Sequence, residues 1–281
     1  MKRPLLLAAA LLSFLLLPSA CKKSNLQPAA NQAANPAASA TPNIEAALSE
    51  FVKRDQEAIR QNPNDAANYY NLANLYFTAG KFREAAEQYQ QAIRLDPKDA
   101  AARYELGQCY LRLERYDDAF AAFNESLKLN PKNANVYTEI GNAYARQERT
   151  KDALAAYRQA VSLKPDHAEA YFSLGNLYTK MEQPQEAVEA FQQATRHNPK
   201  DADAFFNLGN SYSRLKQFDR AIKAYEEAVK LRPEDGEARV RLAVLYLETG
   251  KREAANAEYN ALKGMNPQLA ALLDEKMKQQ K

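Results

Sequence analysis

AANYYNLANLYFTAGKFREAAEQYQQAIRLDPKD, residues 66–99, is the stretch that decides the fold. Tyr69, Leu72, Ala73 and Tyr76 fall at i, i+3, i+4 and i+7, which is one face of a helix. Ala79 and Gly80 make a turn, because glycine reaches the left-handed backbone region without a steric penalty. Phe82, Ala85, Tyr89 and Ala92 then stripe a second helix, and Pro97 stops it. Two short amphipathic helices joined by a tight turn make an antiparallel pair.

The same stretch recurs outward in both directions. Pro63, Pro97, Pro131, Pro165, Pro199, Pro233 and Pro267 lie 34 residues apart. Tyr76, Tyr110, Tyr144, Tyr178, Tyr212 and Tyr246 keep that step, as do Ala85, Ala119, Ala153, Ala187, Ala221 and Ala255. A fixed period of this size means one supersecondary unit stacked many times. One such unit is below the ~40 residues that fold unassisted, so stacking supplies the burial and the ends need caps.

The unit resembles the tetratricopeptide repeat (TPR), which carries a large residue, Leu, a small residue, Tyr, Ala, an aromatic, Ala and Pro at fixed offsets. Repeat four is representative, with Tyr171, Leu174, Gly175, Tyr178, Ala187, Phe191, Ala194 and Pro199. Arg103 and Arg239 replace the first large residue in repeats two and six, and Ser126 and Leu262 replace the late Ala there. The resemblance runs without insertion over residues 66–269, in repeats starting at 66, 100, 134, 168, 202 and 236. It implies an all-α fold, a right-handed α-solenoid of six TPR helix pairs. An N-terminal capping helix is expected over 44–65 and a C-terminal one over 270–281, the latter striped by Leu272, Leu273 and Met277.

Composition excludes several classes of function. A formal net charge of +3, which falls to +1 without Lys2 and Arg3, is not the concentrated basic surplus of a nucleic-acid binder. The two cysteines, Cys21 and Cys109, do not make a disulfide framework, and Cys109 reads as a small apolar residue inside a helix. His167 and His197 stand at or near turns between repeats, without the ligand cluster a metal requires. No cofactor motif and no catalytic constellation is evident, so the expectation is a binding protein and not an enzyme.

The N-terminus carries a different signal. Lys2 and Arg3 precede an apolar run from Leu5 to Leu17, which fits a signal peptide over 1–20 and is too short to span a bilayer. Ser19, Ala20 and Cys21 resemble the lipobox of bacterial lipoproteins, with Pro18 where that motif usually has Leu. In that family the cysteine is acylated and becomes the mature N-terminus. Residues 22–43, rich in Ala, Pro, Asn and Gln, read as a tether with a reach of roughly 25 Å. Lys22, and not Asp, follows the cysteine, which by the same resemblance points to an outer membrane facing the periplasm. A soluble exported protein cut nearby and an uncleaved anchor are the alternatives.

In TPR proteins the first helix of each pair lines a concave groove. One face of these helices collects an aromatic row of Tyr70, Tyr104, Phe172 and Phe206, with Thr138 in repeat three. An amide row follows, Asn74, Gln108, Asn142, Asn176 and Asn210, and then a basic row, Arg112, Arg146, Lys180 and Arg214. Amides pair with peptide groups and cations with carboxylates, which suits protein partners or extended peptide segments. The opposing reading is packing for the aromatics and a solvated last helical turn for the cations. Together these readings lead to a lipid-anchored TPR scaffold that assists assembly of an envelope complex, with a soluble periplasmic peptide-binding chaperone as the alternative.

Overall fold

The computed structural model describes residues 44–279. The signal peptide, Cys21 and the tether lie outside the described residues. Within them the chain forms fourteen α-helices and no strand. Helix α1 (Ile44–Gln61) stands alone ahead of six pairs. The pairs are α2 (Ala66–Thr78) with α3 (Phe82–Leu95), α4 (Ala100–Arg112) with α5 (Tyr116–Leu129), and α6 (Ala134–Arg146) with α7 (Thr150–Leu163). They continue as α8 (Ala168–Lys180) with α9 (Pro184–His197), α10 (Ala202–Arg214) with α11 (Phe218–Leu231), and α12 (Gly236–Glu248) with α13 (Arg252–Met265). Helix α14 (Pro267–Gln279) closes the array and starts three residues earlier than the repeat ruler places a first helix.

The turn inside each pair has one geometry. The second residue after the first helix takes a left-handed conformation, Gly80 at φ 73° in repeat one and Gly250 at φ 75° in repeat six. In the four middle repeats Glu114, Glu148, Glu182 and Lys216 hold the same conformation at φ 57–61°. The following amide then donates back to the carbonyl of the repeat tyrosine, as Lys81 does to Tyr76 at 2.8 Å and Gln183 to Tyr178 at 2.9 Å. This closure satisfies carbonyls that the end of a helix leaves open.

Five of the six first helices begin on an acid or amide cap. Asp65, Asp99, Asn133, Asp201 and Asp235 each accept a backbone N–H of the first turn. Repeat four has His167 there, which does not cap.

Each of the first five pairs is filled by one aromatic from its second helix. Tyr89, Phe123, Tyr157, Phe191 and Tyr225 are at most 3% exposed. The small residue of the first helix lets the ring in: a Cβ on Gly107, Gly141, Gly175 or Gly209 would lie 2.5–2.8 Å from it. The departures from the repeat pattern have local reasons. Arg239 donates to the Pro233 carbonyl at 2.8 Å, as the Tyr69 hydroxyl does to Pro63 at 3.1 Å. Arg239 also pairs with Glu258 at 2.6 Å, both side chains being about 15% exposed. Ser126 is buried and donates to the Ala100 carbonyl at 2.8 Å. Leu262 is fully buried, and the bare Gly236 that opens α12 leaves room for Leu269, which a Cβ there would meet at 2.7 Å.

Between repeats, first helices meet first helices: α4 touches α6, α6 touches α8, and α8 touches α10. Successive second helices stay farther apart. Stacked wedges that are tighter on one side curve toward that side, so the first helices line the concave face.

Candidate functional site: the first-helix face

Each first helix brings its residues to this face at one-turn steps, and the structure divides the three rows by what the side chains already do. The aromatic row is half-buried. Tyr70 meets Tyr89 edge-on at 5.6 Å between ring centres, and Phe172 meets Phe191 the same way at 5.8 Å. Tyr104 and Phe206 lie against Phe123 and Tyr225 at 6.1 and 5.7 Å. One ring edge therefore belongs to the core and the other to the groove. Repeat three breaks the row. Thr138 is 1% exposed, and its hydroxyl bonds the Ala134 carbonyl at 3.1 Å and His167 Nε2 at 3.2 Å.

The amide row alternates. In repeats one, three and five the tyrosine hydroxyl of the second helix donates to the amide oxygen of the first. The pairs are Tyr89 to Asn74 at 2.5 Å, Tyr157 to Asn142 at 2.7 Å, and Tyr225 to Asn210 at 2.6 Å. In repeats two and four the second helix offers Phe123 and Phe191, which have no hydroxyl. Gln108 turns instead to the Tyr104 hydroxyl at 2.8 Å and to Glu139 at 3.2 Å. Asn176 is exposed and makes no side-chain hydrogen bond among the described residues.

The basic row is exposed throughout. Arg146 donates to the Leu111 carbonyl at 3.3 Å, across to the end of the preceding first helix. Lys180 reaches Glu148 at 3.5 Å. Arg112 and Arg214 have no ion pair among the described residues.

Rows that step by four residues from Tyr70 pass over two carboxylates on the same face. Glu105 and Glu139 occupy one repeat position in α4 and α6, next to Tyr104 and Thr138, and both are half-buried. Burial, then the charge of Glu139, holds the Glu105 carboxyl above the usual carboxylate range. Glu139 accepts from Gln108 and Asn142, each at 3.2 Å. Burial, then the Glu139 and Glu105 charges, pushes the Tyr104 phenol up. The signal was legible as two glutamates 34 residues apart beside the aromatic row.

The other singled-out residues are elsewhere. Cys109 is fully buried, and burial pushes its thiol up to about 12. His167 is buried in the joint between repeats three and four, where burial and then Lys164 hold its imidazole below the ordinary histidine value. His197 stacks on Tyr171 at 5.9 Å. Among the described residues no acid, histidine and cysteine group is spaced to hold a metal, and no helix is long and apolar enough to cross a membrane.

Comparison with known proteins agrees with this architecture. Residues 70–134 match the family described as tetratricopeptide repeat. Residues 134–274, half of the chain, match the C-terminal domain of cilia and flagella-associated protein 70. No curated protein sequence matches the chain. Among solved structures, the chain superposes on Pseudomonas aeruginosa PilF with a TM-score of 0.64 at 19% identity, over 77% of this chain and 97% of that one. It superposes on the APC/C hetero-tetramer Cut9-Hcn1 with a TM-score of 0.60 at 19% identity, over 82% of this chain. It spans only 46% of that longer chain. MamA gives a TM-score of 0.51 at 23% identity, over 59% of this chain and 97% of that one. These are likenesses of fold. The repeat ruler, the wedge of paired helices and the matched families lead to one statement: the chain belongs to the tetratricopeptide repeat family.

Proposed function

We propose that this chain is a scaffold that holds extended segments of protein partners along its first-helix face, and that a lipid on Cys21 confines it to the cell envelope. There it assists assembly of an envelope complex of the secretin or pilus, outer-membrane or cell-wall kind. One observation carries the binding part. Arg112, Asn176 and Arg214 present donors to solvent on a single face, without partners among the described residues, beside half-exposed aromatic rings. Donors left open in a row suit the carboxylates and peptide carbonyls of an extended chain. The anchor part rests on Lys2, Arg3, the apolar run and the Ser19–Ala20–Cys21 sequence. An anchored groove raises the effective concentration of any second contact at the membrane.

The test is a cross-linked capture from intact cells, comparing the wild type with Arg112, Arg146, Lys180 and Arg214 all changed to Glu. Loss of a partner with the charges supports the groove, and an unchanged set of partners sinks it. Pro18, in place of the usual Leu, favours a second reading as a soluble periplasmic chaperone. The mass of the mature N-terminal peptide separates the two, since acylation adds hydrocarbon to Cys21.

A further inference from the structure

The basic row lies along the C-terminal ends of the first helices, but the centre of the same face has the opposite sign. Glu105 and Glu139 stand side by side in repeats two and three, half-buried, and neither has an ion pair with a lysine or arginine among the described residues. Several acids on this solenoid's surface have found a cation. Asp118, Asp152 and Glu227 pair with Arg115, Arg149 and Lys230 at 2.7–3.1 Å. Two like charges brought together in a partly desolvated place oppose folding unless a cation joins them. A feature that works against the fold without an intramolecular partner is where a protein is shaped for something outside itself.

The surroundings define what that something is. The half-buried ring of Tyr104 borders the carboxylates, and both charges act on its phenol after burial, while Glu105 alone of the two acts on the half-buried Tyr70. An aromatic face beside a carboxylate attracts an ammonium or guanidinium twice, by charge and by the ring quadrupole. Gln108 and Asn142 donate to Glu139 and fix its orientation without neutralising it. Farther along the array the same repeat position holds Ser173, Asn207 and Arg241, so the acidic character is confined to one end of the face.

We infer that repeats one to three hold a subsite for a lysine or arginine side chain of the bound segment, seated between Glu105 and Glu139 against Tyr104. The inference rests on the groove reading above and deepens it. The partner segment carries a cation toward the first repeats, while its carboxylates turn to the basic edge.

The experiment uses the full chain and two fluorescein-labelled nine-residue peptides, one of alternating alanine and lysine, the other of alternating alanine and glutamate. Anisotropy titrations compare wild type, E105Q/E139Q and the charge-matched control E125Q/E227Q on the second helices. The lysine peptide is expected to bind wild type and the control equally, and E105Q/E139Q at least tenfold more weakly. The double variant should melt no lower than wild type, because it relieves a like-charge pair, so the loss is not one of folding. Equal lysine-peptide affinity in wild type and E105Q/E139Q overturns the subsite. So does an equal loss in the control, a lysine peptide that fails to bind wild type, or a preference for the glutamate peptide. Capture in cells reports on the basic edge independently. The subsite can therefore fail while the groove reading stands, and the reverse outcome is equally visible.

Discussion

Gly175→Ala tests the packing on which every repeat depends. A methyl group at Gly175 would sit 2.6–2.7 Å from three carbons of the Phe191 ring. Ordinary carbon contacts are about 3.5–4.0 Å, so the ring or the helix must retreat by about 1 Å. Phe191 is fully buried. Overpacking of this kind costs about 1–3 kcal/mol, while alanine gains up to about 1 kcal/mol over glycine within a helix. The net expectation is a loss of up to about 2 kcal/mol. Gly264→Ala is the reference, since nothing lies within 4 Å of its added methyl, and it should gain up to about 1 kcal/mol. Urea midpoints of the two variants should therefore move in opposite directions. Hydrogen exchange should show the loss in α8 and α9. Phe191→Leu in the Gly175→Ala background should recover part of the loss, with a coupling of at least about 1 kcal/mol in the double-mutant cycle. The end repeats carry Ala73 and Ala243 at this position. Equal stabilisation by Gly175→Ala and Gly264→Ala would refute the reasoning.

Other expectations follow from the turns, the joint and the buried polar pairs. Glu114→Gly, Glu148→Gly, Glu182→Gly and Lys216→Gly each relieve a left-handed side-chain residue and should each raise stability by about 0.5–1 kcal/mol in urea unfolding. His167 has a depressed imidazole value in the folded state, so the unfolded chain takes up protons first as pH falls. Stability should be full above the ordinary histidine value and decline below it, and His167→Asn should flatten that slope between neutral and mildly acid pH. Tyr157→Phe should cost about 1 kcal/mol by leaving Asn142 without its donor, whereas Phe191→Tyr, opposite the open Asn176, should gain a similar amount, both read by thermal melting. Glu258→Ala strands Arg239 in a nearly buried place and should cost about 2–3 kcal/mol, with exchange increasing first in α12 and α13.

The architecture could be read from the chain because a solenoid has mostly local contacts. Tyr69, Leu72 and Tyr76 declare a helix face, and the spacing of the prolines declares where each pair ends. The left-handed turns at Glu114, Glu148, Glu182 and Lys216 were hidden, since no glycine marks them and the geometry comes from the helix-end closure. The early start of α14 was also hidden: Pro267 serves as a first helical residue there, where its relatives serve as breakers. On the candidate face, the positions of the rows followed from helical periodicity, but their bonding did not. That Asn74, Asn142 and Asn210 are held by tyrosines depends on a pairing across 15 residues between two helices. Glu105 and Glu139 escaped because a row stepping by four through Tyr70 passes one residue to the side of them.

The alternation of Tyr89, Phe123, Tyr157, Phe191 and Tyr225 has a consequence for how such a chain finds its own register. Six near-copies of one unit invite mistaken partnerships, in which a first helix closes on the second helix of a neighbouring copy and every apolar contact is nearly reproduced. Hydrophobic packing alone would scarcely tell the two arrangements apart. The hydroxyl does. A first helix bearing Asn142 that closes on α9 meets Phe191 and loses its donor, whereas on α7 it meets Tyr157. From repeat one to repeat five, adjacent copies thus carry different labels, and a slip by one unit exposes itself through an amide left without an answer.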